Sequence, residues 1–174
     1  MYGELALSCD LLDKPLDSLV ETLITLLKQK HIMLSTAESC TGGLISALMT
    51  QRAGSSKVFD RGFISYSNEA KIDLLKVPQD ILTKHGAISA QCAETMASSA
   101  LKNSRASIAV SVTGIAGPAG GSTEKPVGLV YIGIAKDSET LISHKHTFSG
   151  NRTSIRTQTC KKAFEHIIEA LQQS

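Results

Sequence analysis

The chain has 174 residues, 42% of them hydrophobic and 20% charged, which suits one domain with a sizeable core. Its 18 basic and 16 acidic side chains leave a net charge of +2, with no Trp and 4% aromatics, so neither a polyanion-binding field nor a base-stacking platform is expected, and no nucleic-acid partner. No apolar run approaches a membrane span, and Met1 to Pro15, with Glu4, Asp10 and Asp13, lacks a basic, apolar leader pattern; the expectation is a cytoplasmic protein with no membrane partner.

From Asp17 to Lys30, Leu19, Val20, Leu23, Ile24, Leu26 and Leu27 recur at helical spacing, with Asp17 or Ser18 as the cap. A strand from His31 to Thr36 follows, then a helix from about Cys40 to Gln51, broken by Arg52-Ala53-Gly54-Ser55-Ser56. Val58 to Tyr66 reads as a strand, Asn68 to Leu75 as a short helix capped by Asn68 or Ser67, and Pro78 opens another to Lys84, with Gly86 at its end. Ser89 caps an amphipathic helix to Asn103, which buries Cys92, Ala93, Met96 and Ala100. Ser107 to Val112 is a β-branched strand. Four glycines and a proline between Thr113 and Thr123 predict a loop. Val127 to Ala135 is a buried strand, Lys136-Asp137-Ser138-Glu139 a turn, Thr140 to Phe148 an edge strand, and Asn151 to Leu171 the last helix. The expected fold is a single layered α/β/α domain over residues 1–174, core about 16–172, with a mixed β-sheet and a C-terminal hairpin plus helix.

The four cysteines, Cys9, Cys40, Cys92 and Cys160, form no CxxC pair, so neither a disulfide framework nor a zinc site is expected. His144 and His146 share one strand face but lack a third ligand at a telling spacing, and read as surface imidazoles; no metal and no cofactor are expected.

Three segments fall at strand ends, where open α/β sheets bind ligands: Thr36 to Gly43, Tyr66 to Lys71, and Thr113 to Thr123. In the first, Ser39, Cys40, Thr41, Gly42 and Gly43 gather where a helix begins, and its first-turn N–H groups suit a carbonyl oxygen becoming an anion. Ser39 reads as a nucleophile or merely as a helix cap. No His lies near it except His31 at the other end of the strand, so a neutral Lys71 is the candidate base, with Tyr66 relaying a proton or holding the lysine. Cys40 is the rival nucleophile, or else a buried thiol behind the turn. Lys71 alternatively reads as a solvated helix lysine, and Tyr66 as a strand aromatic with its hydroxyl at the surface. Glu38 reads as a residue with a role in the site, or only as an acceptor for N–H groups of the turn. The glycine loop lacks the Gly-Lys-Ser/Thr ending of a P-loop. Its backbone N–H groups and the hydroxyls of Thr113, Ser122 and Thr123 suit a phosphate, with charge from Lys125 or Arg152. Arg156, one turn beyond Arg152, reads as part of that clamp or as a solvated residue.

Together the motifs Ala37-Glu38-Ser39-Cys40-Thr41-Gly42-Gly43, Tyr66-Ser67-Asn68-Glu69-Ala70-Lys71, Gly86-Ala87-Ile88-Ser89, Val112-Thr113-Gly114-Ile115-Ala116-Gly117-Pro118 and Lys125-Pro126-Val127-Gly128 resemble the CinA C-terminal domain family, in order and spacing, from about Leu16 onward. The resemblance implies a metal-free serine amidase in its stand-alone form, without the large N-terminal domain of longer family members. Its substrate would be nicotinamide mononucleotide, hydrolysed to nicotinate mononucleotide and ammonia in pyridine nucleotide recycling. It implies Ser39 as nucleophile, Lys71 as base and Tyr66 assisting, and it matches Thr113 and Arg152 to positions linked to the site; the reading of the residues themselves adds Cys40, Thr41, Gly42, Gly43, Gly114, Gly117, Gly120 and Gly121 around oxyanion and substrate. It also implies a homodimer or larger homo-oligomer. Ala119 replaces a glycine common in relatives, a change a backbone cradle tolerates at negative φ. Two other readings compete: a non-catalytic pyridine nucleotide- or phosphate-binding module, and an interaction protein linked to competence or DNA damage.

Overall fold

The computed structural model describes residues 14–137 and 140–173. The expectations placed on Met1 to Asp13, Cys9 among them, and on Ser138 and Glu139 of the polar turn lie outside the described residues.

The chain runs α1 (Lys14–Lys30), β1 (Leu34–Glu38), α2 (Leu44–Thr50), a 3-10 turn (Ser55–Lys57), β2 (Phe59–Ile64), α3 (Asn68–Leu75), α4 (Gln79–Lys84), α5 (Ala90–Lys102), β3 (Ile108–Gly114), β4 (Leu129–Lys136), β5 (Thr140–Thr147) and α6 (Arg152–Gln172). The five strands lie in the order β2-β1-β3-β4-β5. β1 pairs parallel with both β2 and β3, whereas β4 and β5 close the sheet as an antiparallel hairpin. This is the mixed sheet and terminal hairpin expected from the order of elements.

Helices cover both faces. On one, α1, α2 and α6 pack through Val20, Leu23, Leu27, Ile45, Leu48, Ile155, Phe164 and Ile167 onto Leu34, Val110, Val112, Ile132 and Ile134. On the other, Leu75, Val77, Leu82, Cys92, Met96 and Ala100 of the α3–α5 layer meet Ala37 and Ala109. The small strand residues on this second face let α5 approach closely. A Cβ at Gly133 of β4 would lie 2.5 Å from the Ala93 carbonyl oxygen of α5. Among the described residues no helix is long and apolar enough to cross a membrane.

Several boundaries differ from the sequence reading for local reasons. α1 begins at Lys14, so Asp17 lies in its first turn rather than capping it, and Asp17 instead pairs with Arg52. His31 adopts φ 55°, which delays β1 to Leu34. α2 starts at Leu44 rather than Cys40, because Gly42 (φ 59°) and Gly43 (φ 93°) are both left-handed and cannot continue a right-handed helix. The cap of α3 is Ser67, whose hydroxyl accepts from Ala70 N at 3.0 Å, and not Asn68. β3 runs on through Thr113 and Gly114, which therefore belong to the sheet and not to the loop.

The connectivity decides where a ligand can sit. From β1 the chain passes through α2 on one face to β2, then returns through α3–α5 on the other face to β3 on β1's opposite side. The carboxyl end of β1 is thus a topological switch point, where the flanking connections diverge and leave a crevice. Glu38, Ile64 and Val112 are in register there, so the chain leaves β1, β2 and β3 side by side.

At the far edge, β5 and α6 meet through three imidazoles. His144 stacks on His166 with centroids 3.7 Å apart, and His146 Nε2 lies 2.9 Å from His166 Nε2, while His166 Nδ1 faces Glu169 at 2.9 Å. Among the described residues no group of three potential ligands is placed to hold a metal. Burial, followed by the neighbouring imidazoles, holds His144 and His146 below their usual 6.5; Lys162 adds to the effect on His146, and Glu169 and Glu165 oppose it. A base whose folded-state pKa is depressed takes up more protons when unfolded. The contribution of His144 and His146 is therefore present above pH 6.5 and is lost as pH falls below it. Thermal melts across that range are expected to show Tm dropping below pH 6.5, with a shallower drop in His146→Gln.

Candidate active site

Beyond Glu38, β1 turns sharply through Ser39 to Gly43 before α2. Ser39 N donates to Val112 O at 3.0 Å, which continues the pairing with β3 by one residue. Ser39 is 8% exposed, and its Oγ accepts from Lys71 Nζ at 3.0 Å. The lysine comes from the first turn of α3, 32 residues away, with its amine turned back into the crevice. Lys71 is 1% exposed, not the solvated helix lysine of the alternative reading, and its second partner is the Ser65 carbonyl at 2.9 Å. Burial holds the amine below its usual 10.5; the Cys92 and Cys40 thiols oppose that shift more weakly. A desolvated amine within hydrogen-bond reach of a hydroxyl, with a third group orienting it, has the arrangement of a base beside a nucleophile.

The turn is saturated with internal bonds. Glu38 Oε2 accepts from Thr41 Oγ1 at 2.7 Å, Gly43 N at 3.0 Å and Ile45 N at 3.0 Å. Its Oε1 accepts from Ser46 N at 2.8 Å and Ser46 Oγ at 2.7 Å. Gly42 N is also taken, by Ser39 O at 3.0 Å. The N–H groups of Gly42 and Gly43 are thus not open to a ligand, in contrast to the expectation from a helix start. The N–H groups of Cys40 and Thr41 meet no carbonyl or carboxylate acceptor among the described residues. Ser39 caps nothing, since Glu38 fills that place. From α6, Arg156 Nη2 donates to Thr41 O at 2.6 Å and braces the turn from the other side.

Cys40 is 5% exposed, and burial pushes its thiol up to about 12, with Glu38 adding to the rise. It packs behind the turn as an inert thiol; Cys92 and Cys160 are likewise core residues.

The other two segments close around this crevice differently from their sequence readings, Tyr66 as a partner of Lys71 and the glycine loop as a phosphate cradle. Tyr66, directly after Ser65, is 60% exposed, and its hydroxyl accepts from Arg152 Nη2 at 2.7 Å. It makes no hydrogen bond with Ser39 or Lys71; the lysine is held by the Ser65 carbonyl instead. Arg152 Nη1 donates to Gly117 O at 2.9 Å, so one guanidinium joins α6, the end of β2 and the glycine loop. Thr113 is buried and spends its hydroxyl on Ala87 O at 2.8 Å. Lys125, offered from sequence as a phosphate ligand, binds the carbonyls of His85 and Ile88 at 2.9 and 3.0 Å. Ser122 Oγ accepts from Lys125 N at 3.0 Å and closes a turn. Gly114 lies in the strand, where a Cβ would meet Leu129 O at 2.5 Å. Gly117, Gly120 and Gly121 remain in the loop, and Ala119 is not among its positive-φ residues. A cavity of about 660 Å³ between Leu27, Lys28, His31, Met33, Gly54 and Lys57 does not include this crevice.

Comparison with known proteins agrees with this architecture. The CinA C-terminal domain family matches residues 16–171, and the chain belongs to that family. A protein of Caldicellulosiruptor bescii named putative competence-damage inducible protein is 57% identical over 145 residues, covering 83% of this chain and 35% of its own length. The chain thus spans about a third of that relative. The Escherichia coli protein named nicotinamide-nucleotide amidohydrolase PncC is 44% identical over 153 residues, covering 88% of this chain and 93% of its own. The crystal structure of the competence/damage inducible protein CihA from Agrobacterium tumefaciens superposes with a TM-score of 0.89 at 47% identity, covering 92% of this chain and 97% of that one.

Burial keeps the Cys40 thiol almost wholly protonated at pH 8. Alkylation of the native protein at that pH, mapped by mass spectrometry, is expected to leave Cys40, Cys92 and Cys160 unmodified until denaturant is added. Rapid native labelling of Cys40 would contradict the packing described here.

Proposed function

We propose that this chain is an amidase that hydrolyses the carboxamide of nicotinamide mononucleotide to nicotinate mononucleotide and ammonia, with Ser39 as nucleophile and Lys71 as its base. The contact of 3.0 Å between the buried Lys71 amine and Ser39 Oγ carries this reading. The substrate assignment draws on the Escherichia coli relative and on the site's small cationic content.

In this mechanism neutral Lys71 takes the proton of Ser39 as Oγ attacks the carboxamide carbon. The oxyanion is held by the N–H groups of Cys40 and Thr41, which meet no carbonyl or carboxylate acceptor among the described residues. Cys40 follows the nucleophile, the place from which strand-turn-helix hydrolases supply one such donor. One donor of this kind contributes about 2.7–4 kcal/mol to the transition state. Protonated Lys71 then passes its proton to the leaving nitrogen, ammonia departs, and an acyl ester remains on Ser39. A water molecule, deprotonated by Lys71, attacks the ester and regenerates the serine. Arg152 and the backbone of the Gly117, Gly120 and Gly121 loop take the phosphate. Tyr66 stands at the mouth beside Arg152 and contacts substrate rather than relaying the proton. The homo-oligomer implied by the resemblance belongs to the same reading: Ile64 and Leu74 are 52% and 49% exposed on β2 and α3, apolar surface that a second copy would cover. Light scattering at the monomer mass would remove that part.

Incubation with nicotinamide mononucleotide is expected to release ammonia, and Ser39→Ala or Lys71→Ala to lower kcat by about 10⁴-fold. Binding without turnover would leave a non-catalytic module. Loss of activity in Cys40→Ala but not in Ser39→Ala would transfer the nucleophile to the thiol. Because the base acts when neutral and burial holds it below 10.5, kcat/KM is expected to rise with pH along a limb centred below that value.

A further inference from the structure

Glu38 is wholly buried, yet no salt bridge is recorded for it among the described residues. All five of its hydrogen-bond partners are neutral donors, and they come from the turn that carries Ser39 and from the first turn of α2. Burying a carboxylate is costly unless its oxygens are well supplied with donors, and here three meet one oxygen and two the other. The arrangement is unusual for a helix start. The N-cap residue, Gly43, has no side chain to offer, and a helix of seven residues is too short to hold itself together. The acceptor arrives instead from the last residue of β1, before the nucleophile rather than after it. One carboxylate therefore fastens the end of the strand to the start of the helix and closes the chain between them into a ring. Ser39, Cys40 and Thr41 lie inside that ring.

We propose that Glu38 is the positioning residue of the reaction. By consuming the N–H groups of Gly43, Ile45 and Ser46 it leaves those of Cys40 and Thr41 as the donors to the developing oxyanion, and it holds Ser39 Oγ against Lys71 while making no contact with substrate. This inference rests on the amidase reading above. Ser46 extends the device outward, since its Oγ lies 2.8 Å from Thr36 Oγ1 as well as 2.7 Å from Glu38 Oε1. Arg156 supports the same turn through the Thr41 carbonyl.

The test is Glu38→Gln, with Ser46→Ala as a milder companion. Gln has the size of Glu, but either orientation of its amide sets an NH₂ against at least two donors that Glu38 accepts. Steady-state kinetics on nicotinamide mononucleotide are expected to show kcat down by about 10²-fold in Glu38→Gln, the size of effect a misplaced reacting group gives. KM should move less than about threefold, and the Lys71-controlled pH limb should stay in place. In Ser46→Ala a several-fold loss of kcat at unchanged KM is expected. Amide exchange should quicken at Gly43, Ile45 and Ser46 and not in the core strands. A purely structural role would lower the yield of folded enzyme and leave kcat per folded molecule alone, and that result would overturn the proposal. If Glu38→Gln fails to fold, unchanged kcat in Ser46→Ala overturns it. A fluorophosphonate probe that labels Ser39 separates this inference from the substrate reading. Were the parent protein silent on nicotinamide mononucleotide yet labelled at Ser39, slower labelling of Glu38→Gln would sustain the positioning role while the amide substrate fell. Equal labelling rates would remove it.

Discussion

The Lys71 amine sits out of water between a serine hydroxyl and a backbone carbonyl, and the crevice is organised around that fact. Desolvation works against the charged amine, while the Ser65 carbonyl gives one N–H a fixed partner. In the proposed mechanism that bond leaves the lone pair of the neutral amine facing the proton of Ser39 Oγ, an atom 3.0 Å from Nζ. In that mechanism the backbone carbonyl takes the place that a carboxylate holds in a Ser-His-Asp arrangement, orienting the base through its other N–H. It brings no negative charge, so it orients the amine without strongly favouring the ammonium form. Such a base is compatible with the near-neutral balance of the whole chain, since no acidic partner has to be buried beside it.

The fold supplies this contact through strand register. Glu38 and Ile64 are paired across β1 and β2, so Ser39 and Ser65 leave the sheet next to one another. α3 then begins three residues after Ser65, and its first turn delivers Lys71 back over the same spot. The distance along the chain is long, but the path in space is two adjacent strand ends and one helical turn. Arg152 performs a comparable joining task at the rim. It ties the start of α6 to Tyr66 and to the glycine loop, so the three strand-end segments share one outer support.

Much of this could be read in the residues alone, and the parts that could not have physical reasons. The alternation of strands and helices, the Ser89 cap and the buried stripe of α5 follow from local chemistry, and they stand where expected. The three strand-end segments were legible because small and polar residues interrupt apolar runs there. Which of their groups remain open was not legible, because this depends on partners far away in sequence. Thr113 is spent on Ala87, 26 residues off, and Lys125 on His85, 40 residues off. Arg156 read as half of a phosphate clamp or as a solvated residue, yet its guanidinium reaches a carbonyl 115 residues earlier. The onset of α2 was misplaced by four residues because propensity alone does not reveal two successive left-handed glycines. Glu38 was read correctly as an acceptor for the turn, but the number of its donors emerges only when α2 is folded against β1.

The neighbours Ser39 and Cys40 show how far environment outweighs intrinsic reactivity. A thiol is the better nucleophile in water, and the two side chains are adjacent in one turn. They nevertheless leave the turn into different surroundings. Cys40 enters the apolar layer beneath α2 and α6, where burial and the Glu38 charge both oppose the thiolate. Ser39 meets the amine of Lys71 on the crevice side. The carboxylate that organises the turn also adds to the rise that burial gives the Cys40 thiol. A hydroxyl has no accessible anion of its own and depends wholly on a neighbouring base, so a turn that places one residue against an amine and buries the next selects oxygen over sulfur by geometry.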